Sequence, residues 1–207
     1  MGNKEYGYSS KQRNSGLKHS KKIMLIATEG NNQTETNYFR HFKSSNYRII
    51  FTQGNDTDPV KMMTTLKKQF KEIGLEQDKG DLGVCLVDTD CEEFKNSQIK
   101  AADMLSTKSI KQYVSSPCFE IWLLCHFEFS TKQYNSSNEV IKSLKKYLAD
   151  YVKNDETIFE KTMHKIEIAI KNAKALNKYC VSTGKSPHTV EFMPSSEIVN
   201  IVEILIN

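Results

Sequence analysis

Through roughly residue 115, short apolar or β-rich runs alternate with stretches of helical periodicity. This alternation constrains the fold more than any other feature. The runs cover residues 22–28, 47–52 and 82–87, with a weaker one at 110–115. Between them, Tyr38, Phe39 and Phe42 recur at helical spacing in residues 34–43, and Val60, Met63, Leu66 and Phe70 do so in the stretch that ends near residue 73. Asp58 is placed to cap that second helix, with Pro59 at its first position. A further helix is expected over residues 93–106. The order βαβαβαβ predicts an α/β fold with about four mostly parallel strands flanked by helices. Runs such as 82–87 are apolar throughout, as befits strands covered on both faces.

The second half reads differently. Residues 117–127 form an intensely apolar helix in which Phe119, Ile121, Trp122, Leu123, Leu124 and Phe127 cover nearly the whole circumference. Residues 138–152 and 157–179 read as Lys-rich amphipathic helices. Residues 183–191 read as a loop, and Ser195 or Ser196 as the cap of a last helix. The chain therefore divides into a basic arm (1–21), an α/β core (22–127) and a helical region packed on it (128–207).

Charge sharpens this division. Residues 1–22 hold six Lys or Arg and one acid, whereas the rest of the 207-residue chain is near neutral. The arm is rich in Ser, Asn, Gly and Lys and is expected to be flexible. No apolar run approaches the ~20 residues that span a bilayer, so a cytoplasmic protein without membrane contact is expected. Cys85, Cys91, Cys118, Cys125 and Cys180 are odd in number and contain no CxxC pair. They read as reduced thiols, neither a disulfide framework nor a zinc site.

Chemistry is expected where the strands end. The first strand runs into Thr28-Glu29-Gly30 and the third into Val87-Asp88-Thr89-Asp90. In a parallel sheet both lie at one edge, where ligands collect. If the chain stays extended, Asp88 and Asp90 point the same way, and Glu29 can converge on them. Three ionised carboxylates need a compensating cation. Mg²⁺, or Mn²⁺ in its place, is the hard ion suited to such oxygens and to phosphate. Gly30 would let the backbone turn after the acid. A DxD also serves nucleotide-sugar transferases. The phosphatases that carry it on their first strand fit less well, and no P-loop or GxGxxG occurs.

Three segments carry a family resemblance. They are Glu29-Gly30 with Thr34-Glu35 and Asn37-Tyr38-Phe39; Val87-Asp88-Thr89-Asp90; and the run Ser116-Pro117-Cys118-Phe119-Glu120-Ile121-Trp122-Leu123-Leu124 with His126-Phe127. Together with Pro194-Ser195-Ser196 and Ile198-Val199, they resemble the RloB family, also called AbiLii-like, from about residue 22 to 204. The resemblance implies a core related to the Toprim fold, with Glu29, Asp88 and Asp90 as ligands of Mg²⁺. It also implies an AAA-type or ABC-like ATPase partner, and a toxic nuclease role in abortive infection against phage, acting on tRNA, other RNA or DNA. Thr89 stands where relatives tend to have Arg, and Ser116 where Asn is commoner.

Other candidates are weighed beside these. Glu120, a carboxylate among apolar residues, either faces the metal cluster or pairs with a base such as Lys111. His126 is either a general acid/base or a hydrogen-bonded core residue. Glu35 either extends the acids or favours a helix N-terminus. Lys142, Lys145, Lys146, Lys171 and Lys174, and Tyr6 and Tyr8 in the arm, are weak nucleic-acid signals. The alternatives to a nuclease are a non-catalytic module that binds nucleic acid and an ATPase, and a metal-dependent nucleotide phosphohydrolase. A homo-oligomer is compatible with either.

Overall fold

The computed structural model describes residues 21–30 and 33–207. The basic arm, with Tyr6 and Tyr8, lies outside the described residues apart from Lys21. Strands β1 (Lys22–Ala27), β2 (Tyr47–Phe51), β3 (Leu82–Asp88) and β4 (Ile110–Ser116) form a parallel sheet in the order β2-β1-β3-β4. A fifth strand, β5 (Ser195–Ser196), pairs antiparallel with the end of β4. Helices α1 (Gln33–Arg40), α2 (Pro59–Glu72) and α3 (Lys95–Asp103) lie between the parallel strands in the chain. The remaining helices are α4 (Glu120–Cys125), α5 (Ser137–Leu144), α6 (Ile158–Met163), α7 (Ile166–Ser182) and α8 (Ile198–Ile206).

The alternation of side chains across the strands produces two cores. Leu25, Ala27, Cys85 and Val87 meet α2 and α3 through Met63, Leu66 and Ile99. Met24, Ile26, Val84 and Leu86 share the other core with α1, α4, α7 and α8. That larger core runs from Met24 to Leu205, so the C-terminal helices and the sheet bury one another. Its centre is aromatic: Tyr38 packs edge-on against Phe39, Phe119 and Trp122, with centroids 5.3, 5.7 and 6.4 Å away. As expected, α2 starts at Asp58, whose carboxylate accepts from the Lys61 amide at 3.0 Å, and at Pro59. All five cysteines are free.

Four expectations are corrected. The sheet has five strands, because Ser195 and Ser196 extend it instead of capping a helix. Ser196 is held from the other side by Asn177, which accepts from its amide at 3.0 Å and donates to its carbonyl at 2.9 Å. The apolar helix is confined to α4, with single turns before and after it, such as Trp122 N–H to Phe119 O and Phe127 N–H to Leu124 O. The expected helix over 138–152 ends at Leu144, after which tight turns carry the chain to Tyr151, whose hydroxyl reaches Glu120. The expected helix over 157–179 is interrupted at Lys165 (φ −115°). Ile158, Thr162, Ala169, Ala173, Leu176 and Cys180 are buried across this break with nearly continuous helical spacing, so the apolar pattern does not reveal it. Among the described residues no helix is long and apolar enough to cross a membrane.

Candidate functional site

Because β1 and β3 are parallel neighbours, Glu29 and Asp88 leave the sheet at the same edge. Gly30 follows with φ +54°, and its amide donates to Asp56 O at 2.8 Å. A Cβ at Gly30 would stand 2.9 Å from Thr57 Cγ2. The turn after the acid therefore requires glycine both for backbone conformation and for space.

After β3 the chain does not stay extended. Asp90 and Cys91 are left-handed, with φ 51° and 63°, and Asp90 N–H donates to Pro117 O at 2.8 Å. Thr89 turns inward, its hydroxyl 2.8 Å from that of Ser116. The expectation that Asp88 and Asp90 project alike from an extended strand is thus corrected: the turn separates them.

What meets at the strand ends is a cation with three oxygens. Lys95 Nζ donates to Glu29 Oε1 at 2.8 Å, to Asp90 Oδ2 at 2.7 Å and to the main-chain oxygen of Asp88 at 2.9 Å. The Lys95 side chain is 7% exposed. Ser137 adds a hydroxyl to Asp90 Oδ1 at 3.3 Å. Glu29, Asp90 and Lys95 line an open cleft of about 360 Å³ together with Thr57, Asp58, Glu92, Phe94 and Gln98. A larger cavity of about 610 Å³, lined by His41, Phe42, Phe159 and Met163 among others, shares no residue with this cleft. The cleft is the better candidate, because the strand-end acids converge there.

The Asp88 carboxylate takes no hydrogen bond from the described residues. Alternation along β3 puts it on the same face as Val84 and Leu86, and its electrostatic neighbours include Glu35 and Glu120. Burial, followed by Glu35, Glu29, Asp90 and Glu120, pushes its pKa well above the ordinary value. Burial likewise raises Glu35 to about 8, with Glu120 and Glu29 adding to the effect. Glu35 lies in the first turn of α1 and is also one of the acid group. Burial raises Glu29 as well, against the opposing pull of Lys95. Burial lowers Lys95, but Glu29 and Asp90 outweigh it and the net shift is upward.

Glu120 opens α4 and is buried. Its Oε1 accepts from Tyr151 Oη at 2.9 Å, while Oε2 has no partner among the described residues. The cation that senses it is Lys153. Lys111, the base suggested by the sequence, sits exposed on β4. His126 is fully buried. Its Nδ1 lies 3.0 Å from Trp122 O, its ring is edge-on to Trp122 and Tyr38, and Nε2 has no partner among the described residues. Burial lowers its pKa to about 4. The charges that act on it are His164 and Lys165, not the strand-end acids.

Among the described residues no group of three or more His, Cys, Asp and Glu side chains is arranged to hold a metal ion. Glu29 and Asp90 are brought together, but by Lys95. Sequence reasoning missed Lys95, although a signal existed. The residue begins a helix, where the peptide dipole disfavours cations, and it follows the DxD by five positions.

Searches of curated proteins and of solved structures return no match. The family model described as RloB-like protein matches residues 24–205. That span holds both strand-end acid segments, Lys95, the buried Glu120 helix and β5, so on nearly its whole length the chain belongs to the RloB-like family.

Proposed function

We propose that this protein is a Mg²⁺-dependent nuclease with a Toprim-like site, acting in antiphage abortive infection on tRNA, other RNA or DNA. The single observation that carries the reading is the convergence of Glu29 Oε1, Asp90 Oδ2 and the Asp88 carbonyl on one positive charge. Three oxygens around an ammonium, backed by further buried acids, make a donor set that suits a hard cation. Glu29 and Asp90 would hold the ion, with Asp88 beside them. Such an ion, when bound, polarises a phosphoryl oxygen and stabilises the leaving oxygen.

The chain's own part is to position and to exclude. The left-handed turn at Asp90 and the Gly30 turn fix the two acids at the mouth of the cleft. The cleft is open on the solvent side, which admits a phosphodiester chain. No side chain is assigned as general base. The ATPase partner implied by the family resemblance belongs to the same reading.

One observation favours a second reading. Lys95 already neutralises Glu29 and Asp90, as a purely structural ion pair would. The protein would then be a module that binds nucleic acid or an ATPase without cutting. The test is incubation of purified protein, alone and with a candidate ATPase, with tRNA, single-stranded RNA, DNA and mononucleotides in Mg²⁺, Mn²⁺ or EDTA. Cleavage of polynucleotide that EDTA and Asp90→Ala both abolish supports the nuclease. Binding without cleavage under all conditions supports the module, and turnover of mononucleotides alone supports a phosphohydrolase.

A further inference from the structure

Lys95 is a cation placed against local preference. It stands at the start of α3, where the helix dipole favours anions, and its ammonium is drawn almost wholly out of water. Desolvating a charge is costly unless it is paired. Here one ammonium spends all three of its donors on Glu29, Asp90 and the Asp88 carbonyl. Without it, Glu29 and Asp90 would face each other, with Asp88 and Glu35 close enough to add repulsion.

We propose that Lys95 is an internal counter-ion: it occupies the divalent-cation position in the metal-free protein and must withdraw for an ion to bind, so that it sets the site's affinity. This rests on the metal reading above and goes beyond it by assigning the competitor. Lysine suits the role better than arginine would, because its charge is compact and rides on a flexible four-carbon stem. It also has somewhere to go. The same cleft is lined by Glu92, whose carboxylate can receive the displaced ammonium while it stays protonated, and by Asp58, whose oxygens already accept from the Lys61 amide and from Gln98 Nε2. The ion then gains two carboxylates that are already positioned, at the expense of three charge-assisted hydrogen bonds.

The test measures binding, not activity. Removing the competitor with Lys95→Met should tighten Mn²⁺ binding by calorimetry at least about ten- to a hundredfold, because the ion no longer has to displace a hydrogen-bonded ammonium. In the wild-type protein, Lys95 should be nearly inert to an amine-acylating reagent without metal. It should become several-fold more reactive when Mn²⁺ saturates the site, with exposed Lys79 as the unchanged reference. This second readout stands if the methionine variant fails to fold. Mn²⁺ binding by Lys95→Met alone, with none by wild type, would also support the proposal. Unchanged or reduced labelling of Lys95 in Mn²⁺-saturated wild type would overturn it while leaving the metal site standing. Absence of Mn²⁺ binding in both proteins would overturn it together with the metal reading.

Discussion

His188 Nδ1 lies 2.8 Å from both carboxylate oxygens of Asp103, and its Nε2 lies 2.8 Å from Glu197 Oε2. The ring thereby ties the loop before β5 to the end of α3 and to the residue that precedes α8. Burial lowers the imidazole's pKa, but Glu197 and Asp103 outweigh it and raise it to about 9. A histidine raised in the folded state stabilises fully below its unfolded pKa, near 6.5, and that contribution is lost as pH rises through about 9. His188→Gln should therefore cost about 1–3 kcal/mol at pH 6 and much less at pH 9.5. Urea unfolding of both proteins across that range measures it. A constant difference would mean that the imidazole is neutral.

His126 has the opposite sign. Its folded pKa is lowered to about 4, so its contribution is present above 6.5 and is lost as pH falls toward 4. The wild-type protein should lose about 1.4 kcal/mol per pH unit from this one group in that window. His126→Gln should show a flatter stability profile between pH 6.5 and 4.5, whatever its stability at pH 7.

Tyr151→Phe removes the hydrogen bond that Tyr151 donates to the buried Glu120 carboxylate. The expected loss is about 1–3 kcal/mol. In Tyr151→Phe/Glu120→Gln the two effects should be less than additive, since the residues share the bond. A double-mutant cycle by denaturant unfolding checks this, and strict additivity would show the contact to be energetically empty.

Asp88 and Asp90 should part company when neutralised. Asp88 is held above the ordinary carboxylate range by burial and by neighbouring acids, so ionising it opposes folding at neutral pH. Asp88→Asn should raise the Tm by a few degrees, about 2–4 °C per kcal/mol relieved. Asp90→Asn instead weakens the Lys95 ion pair and should leave Tm unchanged or lower it. If the proposed metal reading holds, Asp90→Asn should reduce cleavage about a hundredfold or more, as expected for loss of charge at a metal, whereas Asp88→Asn keeps the main-chain oxygen that faces the cation and should cost less. Differential scanning calorimetry beside a cleavage assay separates the two effects.

Gly30→Ala puts a Cβ at 2.9 Å from Thr57 Cγ2 and at a positive φ. It should displace Glu29 and, if the protein is the proposed nuclease, cut cleavage at least about tenfold, because an ångström of misplacement is costly in a positioned site. Retained full activity would show that the Glu29 turn is not part of the machinery.

The parallel core was legible because its signals are redundant. Apolar runs such as Leu82–Val87 must be covered on both sides, and Asp58-Pro59 starts a helix by both capping and backbone constraint. β5 was not legible: Ser195-Ser196 has no apolar period, and its partner lies eighty residues upstream. The common edge of Glu29 and Asp88 follows from strand order alone, and the structure bears it out. The left-handed turn at Asp90 was not legible, because the hydrogen bond from its amide to Pro117 O that accompanies it joins segments far apart in the chain. Lys95 is one of many lysines in the chain, and only the fold distinguishes a buried ammonium from a solvated one.

The two-residue β5 reaches further than its length suggests. Ser195 pairs with Ser116, whose hydroxyl lies 2.8 Å from that of Thr89 between the two aspartates, and Glu197 accepts from the Val114 amide at 2.9 Å. A growing chain that has emerged only as far as the DxD and the Trp122 helix therefore still lacks the brace beneath its acidic loop. The acidic loop is thus completed only when a segment about eighty residues further along the chain is docked beside β4, so that damage to the C-terminal region is felt at the strand-end acids.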